Sequence, residues 1–159
     1  MLNILSAASP AFEALRKLNN DHARELSHAD EDRFRLLLER SFFAAMINEA
    51  DAFLIAFDQN ADYDSPNFRW FLDRFLKFVY IDRVVTNAAA RGRGHGAALY
   101  EALFQEARLA GHTLAVCEVN EHPPNPASDA FHTHFGFVQV GRAALPDGGK
   151  TVRYFVKEL

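Results

Sequence analysis

One cysteine in 159 residues, Cys117, leaves no partner for an intrachain disulfide and suits a reducing compartment. Long apolar runs are missing as well: nothing approaches the ~18 consecutive apolar residues of a membrane-spanning helix. The opening "MLNILSAASP" has neither a basic region nor a long apolar stretch. We therefore expect no secretory leader, no membrane partner and a cytoplasmic setting. Positive charge is in deficit, with 17 Lys and Arg against 21 Asp and Glu and a net charge of −4. That balance argues against nucleic acid as the main partner, because phosphate backbones are held by a cationic surplus. There is no internal repeat and no low-complexity tract.

Apolar residues are plentiful, at 49% against 24% charged, in a chain the size of one ordinary domain. We expect a single domain over residues 1–159 with a substantial core. Fifteen Phe against one Trp and four Tyr predict a core filled by aromatic rings. Either a monomer or a homodimer is compatible with this composition.

The hydrophobic spacing changes along the chain. Phe12, Leu15, Leu18, Ala23 and Leu26 predict a helix over 9–28, opened by Ser9 as cap and Pro10 at the first helical position. Phe34, Leu37, Leu38 and Phe42 predict a second helix over 29–42, with Asp30 as its cap. "FFAAMINEADAFLIAFDQ" reads as an antiparallel hairpin turning at Asn48–Asp51. A polar loop then leads into a short helix at Ser65-Pro66, followed by a strand over Phe78–Thr86. Beyond a glycine-rich stretch, Ala98, Leu99, Ala102, Leu103 and Ala107 mark a helix that Gly111 ends. "TLAVCEVN" suits a central strand buried on both faces. Asn125-Pro126 starts a late helix, and two strands around "PDGGK" close the chain as a hairpin. The predicted fold class is α+β: a mixed sheet, antiparallel at both ends, with one parallel crossover in the middle.

Inside that crossover lies "TNAAARGRGHGA", residues 86–97. A helix start exposes unpaired N–H groups and the positive end of the helix dipole. Phosphate oxygens accept from those N–H groups where no side chain intervenes. Gly92, Gly94 and Gly96 remove side chains, while Arg91 and Arg93 add charge. A P-loop is excluded, since no Gly-Lys-Ser/Thr follows. A dinucleotide fingerprint fits Gly92, Gly94 and Ala97, with Glu118 as the later acid, but six residues separate the strand from its first glycine. A plain glycine turn allowing close helix–strand contact is the third option.

Arg91-Gly92-Arg93-Gly94-His95-Gly96 also matches R/Q-x-x-G-x-G/A, and here the chain resembles the GNAT N-acetyltransferase superfamily. The order of elements agrees, and "NPASDAFHTHFGF" is similar to that family's late helix. More closely, "DYDSPNFRWF", "YIDRVV" and "CEVN…PPNPASDAFH" resemble a bacterial branch of predicted acetyltransferases. The resemblance implies an acyl-CoA N-acyltransferase fold whose two parallel strands splay apart. It implies acetyl-CoA as cosubstrate and no metal, with a small-molecule or protein amine as acceptor. The diphosphate would lie on the backbone of Gly92, Arg93, Gly94, His95, Gly96 and Ala97, with Arg91 and Arg93 at the rim. The pantetheine arm would pair with the strand edge at Val84, Val85 and Thr86, and Asn120, Asn125 and Ser128 would face the cofactor.

That family often uses a Tyr of the late helix to protonate the leaving thiolate; this chain has Phe131-His132 there. His132 is the candidate acid, with an ordinary pKa near ~6.5 that suits proton transfer in either direction. Asp82 is the candidate base, sharing strand parity with Tyr80, Val84 and Thr86, and Glu118 is an equal alternative. For either carboxylate the plain reading is an ion pair with Arg83 or Arg153. His122, His132, His134 and Cys117 make a poor metal set, because residues two apart on a helix diverge. The competing function is an acyl-CoA-binding sensor that does not turn over.

Overall fold

A computed structural model describes residues 1–23, 26–146 and 149–159. Its strands and helices follow the order β1 (Leu2–Ile4), α1 (Phe12–Asp21), α2 (Glu31–Arg40), β2 (Phe43–Ile47), β3 (Ala52–Asp58) and α3 (Pro66–Leu72). Then come β4 (Val79–Thr86), a 3₁₀ turn at Ala88–Ala90, α4 (His95–Leu109), β5 (Leu114–His122), α5 (Pro126–His134), β6 (Val138–Ala144) and β7 (Thr151–Glu158). The strands form one seven-stranded sheet in the order β1-β2-β3-β4-β5-β7-β6. Only β4 and β5 pair in parallel; every other neighbouring pair is antiparallel.

Aromatic rings fill the interior as the composition predicts. Phe34, Phe53, Phe57, Phe68, Phe71 and Phe78 are fully buried on the face covered by α1, α2 and α3. The other face is closed by Leu99, Tyr100, Leu103 and Phe104 of α4 against β2, β3 and β4. Burial of such side chains contributes roughly 1.5–3 kcal/mol each.

Side-chain caps set several boundaries. Asp30 accepts from the Arg33 N–H at 2.8 Å, and Asn125 accepts from that of Ser128 at 3.3 Å. The first helix is shorter than the 9–28 span predicted. Ser9 and Pro10 lie in a turn before it, where Ser9 Oγ accepts from the Ser6 N–H, and the N-cap is Ala11. At the other end Asn20 exchanges two hydrogen bonds with Ala29, at 2.8 and 2.9 Å, and Asn19 donates to the Ser27 carbonyl at 3.0 Å. These amides bind backbone that a continuing helix would have paired with itself, so the chain leaves the helix there. The second helix likewise narrows from the predicted 29–42 to Glu31–Arg40. The short strand β1 was not expected, since three residues carry no measurable alternation. The proposed turn at "PDGGK" lies partly outside the described residues, at Asp147 and Gly148.

Candidate active site

Strands β4 and β5 are in register only at Val79–Ala115 and Tyr80–Val116. Beyond those pairs β4 continues along β3 and β5 along β7, so the middle of the sheet parts. Two cavities occupy the parting and share Leu26, Asp82, Arg83, Glu118 and Asn120 on their walls. The smaller, about 140 Å³, is closed by Val84, Tyr100, Asn125, Ser128 and His132. The larger, about 370 Å³, reaches Arg33, Tyr63, Asn67 and Lys150. Five of the residues singled out from sequence thus meet with Asp82 around one cleft: Val84, Asn120, Asn125, Ser128 and His132. Val85 instead points into the α1–α3 core, and Thr86 pairs with Ala52 at the strand end.

A bulge decides where Asp82 points. Ile55 pairs with Arg83 and Ala56 with Ile81, so Asp82 is an extra residue opposite the Ile55–Ala56 step. The period-2 grouping of Tyr80, Asp82, Val84 and Thr86 fails here, because a bulge shifts every later side chain to the opposite face. Ile81 and Val84 face α4, whereas Tyr80 and Val85 face the other core. Asp82 Oδ1 accepts from the Tyr63 hydroxyl at 2.5 Å and Oδ2 from Arg83 Nε at 2.6 Å. Arg83 in turn donates to Asn19 Oδ1 at 2.8 Å. Both oxygens of Asp82 are therefore in use, one by the Tyr63 hydroxyl and one in the ion pair with Arg83 that was its plainer reading.

Glu118 differs. Its Oε1 accepts from Tyr80 at 2.9 Å and from Asn67 at 3.1 Å, and Asn67 accepts from Tyr154 at 2.8 Å. Its Oε2 is buried without a hydrogen-bond partner, and no cation pairs with it among the described residues; Arg153 goes to Asp129 instead. Burial, reinforced by the charge of Asp82 and opposed by the Tyr80 and Asn67 hydrogen bonds, pushes its carboxyl up to about 8. The folded protein thus keeps a proton that an unfolded chain releases near 4.5. This contribution to stability is complete below about 4.5 and is lost as pH rises toward about 8. His132, whose pKa burial lowers, acts in the opposite sense below its ordinary ~6.5. The stability difference between wild type and Glu118→Gln is therefore the readout: denaturant unfolding from pH 5 to 9 should show wild type losing stability relative to the variant.

On the opposite wall His132 is buried, with both ring nitrogens held. Nδ1 lies 2.7 Å from the Ser128 carbonyl and Nε2 2.7 Å from the Tyr100 hydroxyl. A carbonyl only accepts, so Nδ1 carries the proton and Nε2 accepts from Tyr100. Burial lowers the His132 pKa and raises that of Tyr100 well above its ordinary value.

The glycine stretch caps α4 with bare backbone. Gly92 and Gly94 have φ of +79° and +77°, and a Cβ built on either would meet nothing within 4 Å. Gly94 is the N-cap, and no side chain supplies a capping hydrogen bond. Residues 91–94 are exposed. The helix begins at His95. A Cβ built on Gly96 would lie 3.5 Å from the Phe131 ring of α5, so the helix start sits beside the wall carrying His132. His95 lies 3.7 Å from Asp51, and Arg91 Nη2 is 3.5 Å from His22.

The sequence profile of the acetyltransferase (GNAT) family matches residues 11–137. This chain belongs to the GNAT acetyltransferase family. No curated protein sequence matches it significantly. Among solved structures, a ribosomal-protein-alanine N-acetyltransferase from Brucella melitensis superposes with a TM-score of 0.75 at 19% identity, covering 100% of this chain and 99% of its own. YncA from Salmonella typhimurium, solved with its cofactor acetyl-CoA, gives 0.70 at 17% identity, covering 99% and 92%. An aminoglycoside 6′-N-acetyltransferase complexed with coenzyme A gives 0.75 at 13%, covering 99% and 96%.

As a GNAT acyltransferase, the chain has a backbone that fits the cosubstrate of its class: open space over two positive-φ glycines, a helix start with no side-chain capping hydrogen bond and a parted strand pair. Arg91 and Arg93 are the flanking cations. Sequence reading passed over Tyr63, Asn67 and Tyr100 as parts of the site. Their partners lie 19 residues away at the nearest, so local pattern carried no signal. No helix among the described residues is long and apolar enough to cross a membrane.

Proposed function

We propose that this GNAT protein transfers an acetyl group from acetyl-CoA to an amine, by direct attack in a ternary complex. The observation that carries the reading is Glu118: a carboxyl with a free, buried oxygen on the wall common to both cavities. Acetyl-CoA supplies the acetyl group as a thioester. The N–H groups of Gly92 to Ala97 hold its diphosphate with Arg91 and Arg93. The β4 edge at Val84 to Thr86 and the side chains of Asn120, Asn125 and Ser128 hold its arm. Asn125 does so while still capping α5.

An alkylammonium of pKa ~10.4 must lose a proton before it attacks. Glu118 Oε2 takes that proton, and Tyr80 and Asn67 fix the carboxyl's orientation; the amine would then form the C–N bond as the thioester C–S bond breaks, and CoA would leave as the thiol with the amine's second proton. Asp82 takes no proton directly; it anchors Arg83 and Tyr63 and, through its charge, raises the basicity of Glu118. Cys117 offers no covalent route, because burial holds its thiol well above the usual range. His132 acts as a positioning residue for Tyr100.

His132→Phe tests that assignment. It strands the buried Tyr100 hydroxyl and should cost about 1–3 kcal/mol of stability by denaturant unfolding. The pH–rate profile should keep its shape; loss of a limb would return His132 to the proton transfers.

The competing reading, a GNAT module that binds acyl-CoA without turnover, draws on His132 standing in place of the family's Tyr with both nitrogens engaged. Thiol release from acetyl-CoA across a panel of amines decides between them. Turnover on any amine supports the transferase; CoA binding with no turnover on all of them supports the sensor.

A further inference from the structure

The larger cavity carries two cations, Arg33 and Lys150, that no carboxylate among the described residues neutralises. Arg33 reaches it from the first turn of α2 and Lys150 from the connection into β7. Among the described residues no acidic oxygen lies within salt-bridge distance of either. Arg83, on the same wall, is cancelled by Asp82. Among the described lining residues Asp64, which is exposed, is the remaining acid besides Glu118, and with the Glu118 carboxyl protonated this leaves a surplus of one positive charge.

Arg33 is also held in place. Its guanidinium lies over the Tyr63 ring, 5.5 Å from the centroid, and the Tyr63 hydroxyl is anchored on Asp82. A planar donor fork fixed against an aromatic face is suited to a carboxylate. Lys150 comes from the far end of the chain and is half-buried on the same cavity. The cavity is therefore lined by a buried carboxyl, Glu118, and by two partly exposed cations, Arg33 and Lys150. Its volume of about 370 Å³ falls at the small end of small-molecule sites, roughly 300–1,000 Å³.

We infer that the acceptor is a small amine bearing a carboxylate, of the amino-acid class, with its amine at Glu118 and its carboxylate between Arg33 and Lys150. This rests on the acetyltransferase reading and adds the acceptor's chemistry to it. A plain alkylamine or polyamine would place no anion at that pair and would leave both cations uncompensated.

The test is calorimetry at pH 7 on protein saturated with CoA. It is titrated with N-acetyl α- and ω-amino acids, each beside its own carboxamide. At least one acid should bind about tenfold or more tighter than its amide, a difference of about 1.4 kcal/mol. Arg33→Ala and Lys150→Ala should each bring that acid-to-amide ratio close to one. Binding of no acid, equal binding of acid and amide, or variants that keep the ratio would overturn the inference. The preceding CoA titration separates the two levels. Absent CoA binding overturns the acyl-CoA reading itself, whereas CoA binding without acid preference overturns the acceptor assignment alone.

Discussion

Gly94→Asp should weaken CoA binding by a factor of hundreds or more while leaving the fold intact. Gly94 sits at φ +77° with open space where a Cβ would stand, so the new side chain meets no protein atom. Asp tolerates the left-handed region better than most residues, which limits the strain to about 1–2 kcal/mol. Against a bound diphosphate the same carboxylate acts at close range. Two like charges 4 Å apart repel by about 4 kcal/mol at an effective dielectric of ~20, close to a thousandfold in Kd. Gly94→Asn is the control, since it has the same size and backbone tolerance without the charge. Calorimetry with CoA should rank wild type above Asn and Asn above Asp, with thermal midpoints of the two variants within a few degrees of each other. An unchanged Kd in the Asp variant would remove the diphosphate from this helix start.

The second large effect concerns the proton. Glu118→Gln keeps a group able to accept from Tyr80 and Asn67 but cannot take a proton from an amine. Loss of a general base lowers kcat by roughly 10²–10⁴. CoA affinity should change little, because Glu118 is no part of the glycine stretch that holds the diphosphate and the Gln side chain keeps its size on the wall shared by the two cavities. In wild type kcat/KM should rise with pH through about 8 as the carboxyl ionises. The acceptor's own ionisation adds a limb nearer ~10. In the Gln variant the lower limb should vanish and the upper one remain. A variant that keeps wild-type rates and the limb near 8 would place the base elsewhere and reopen Asp82.

Local chemistry made several features readable. Asp30 and Asn125 cap the helices they precede, as their side chains predict. Gly136 ends α5 at φ +86°, as its position after the helix requires. The aromatic core and the single parallel crossover follow from composition and element order. Other features depended on partners far away in the chain. The first helix overran in prediction because Leu26 kept the apolar spacing; the Asn19 and Asn20 amides that end it act on Ser27 and Ala29, which periodicity ignores. Asp82 and Glu118 were equivalent on paper, two acids on neighbouring strands. One bulged residue turned Asp82 into an ion pair, and Tyr80 of β4 and Asn67 of α3, itself held by Tyr154 of β7, hold Glu118 by hydrogen bonds. His132 had the right residue type at the right helical position, and only Tyr100 and the Ser128 carbonyl revealed that both its nitrogens are in use.

The sequence by itself determined the backbone features: a glycine-lined helix start after a strand, the order of the elements and the caps between them. These depend on φ/ψ preference and on neighbours a few residues apart, which the linear order of residues specifies directly. The tertiary structure alone decided the chemistry: which carboxylate is free, which histidine nitrogen holds a proton, and that Arg33 and Lys150 face one cavity. Protonation and charge balance depend on burial and on distances through space, and these exist only once the sheet has brought remote segments together.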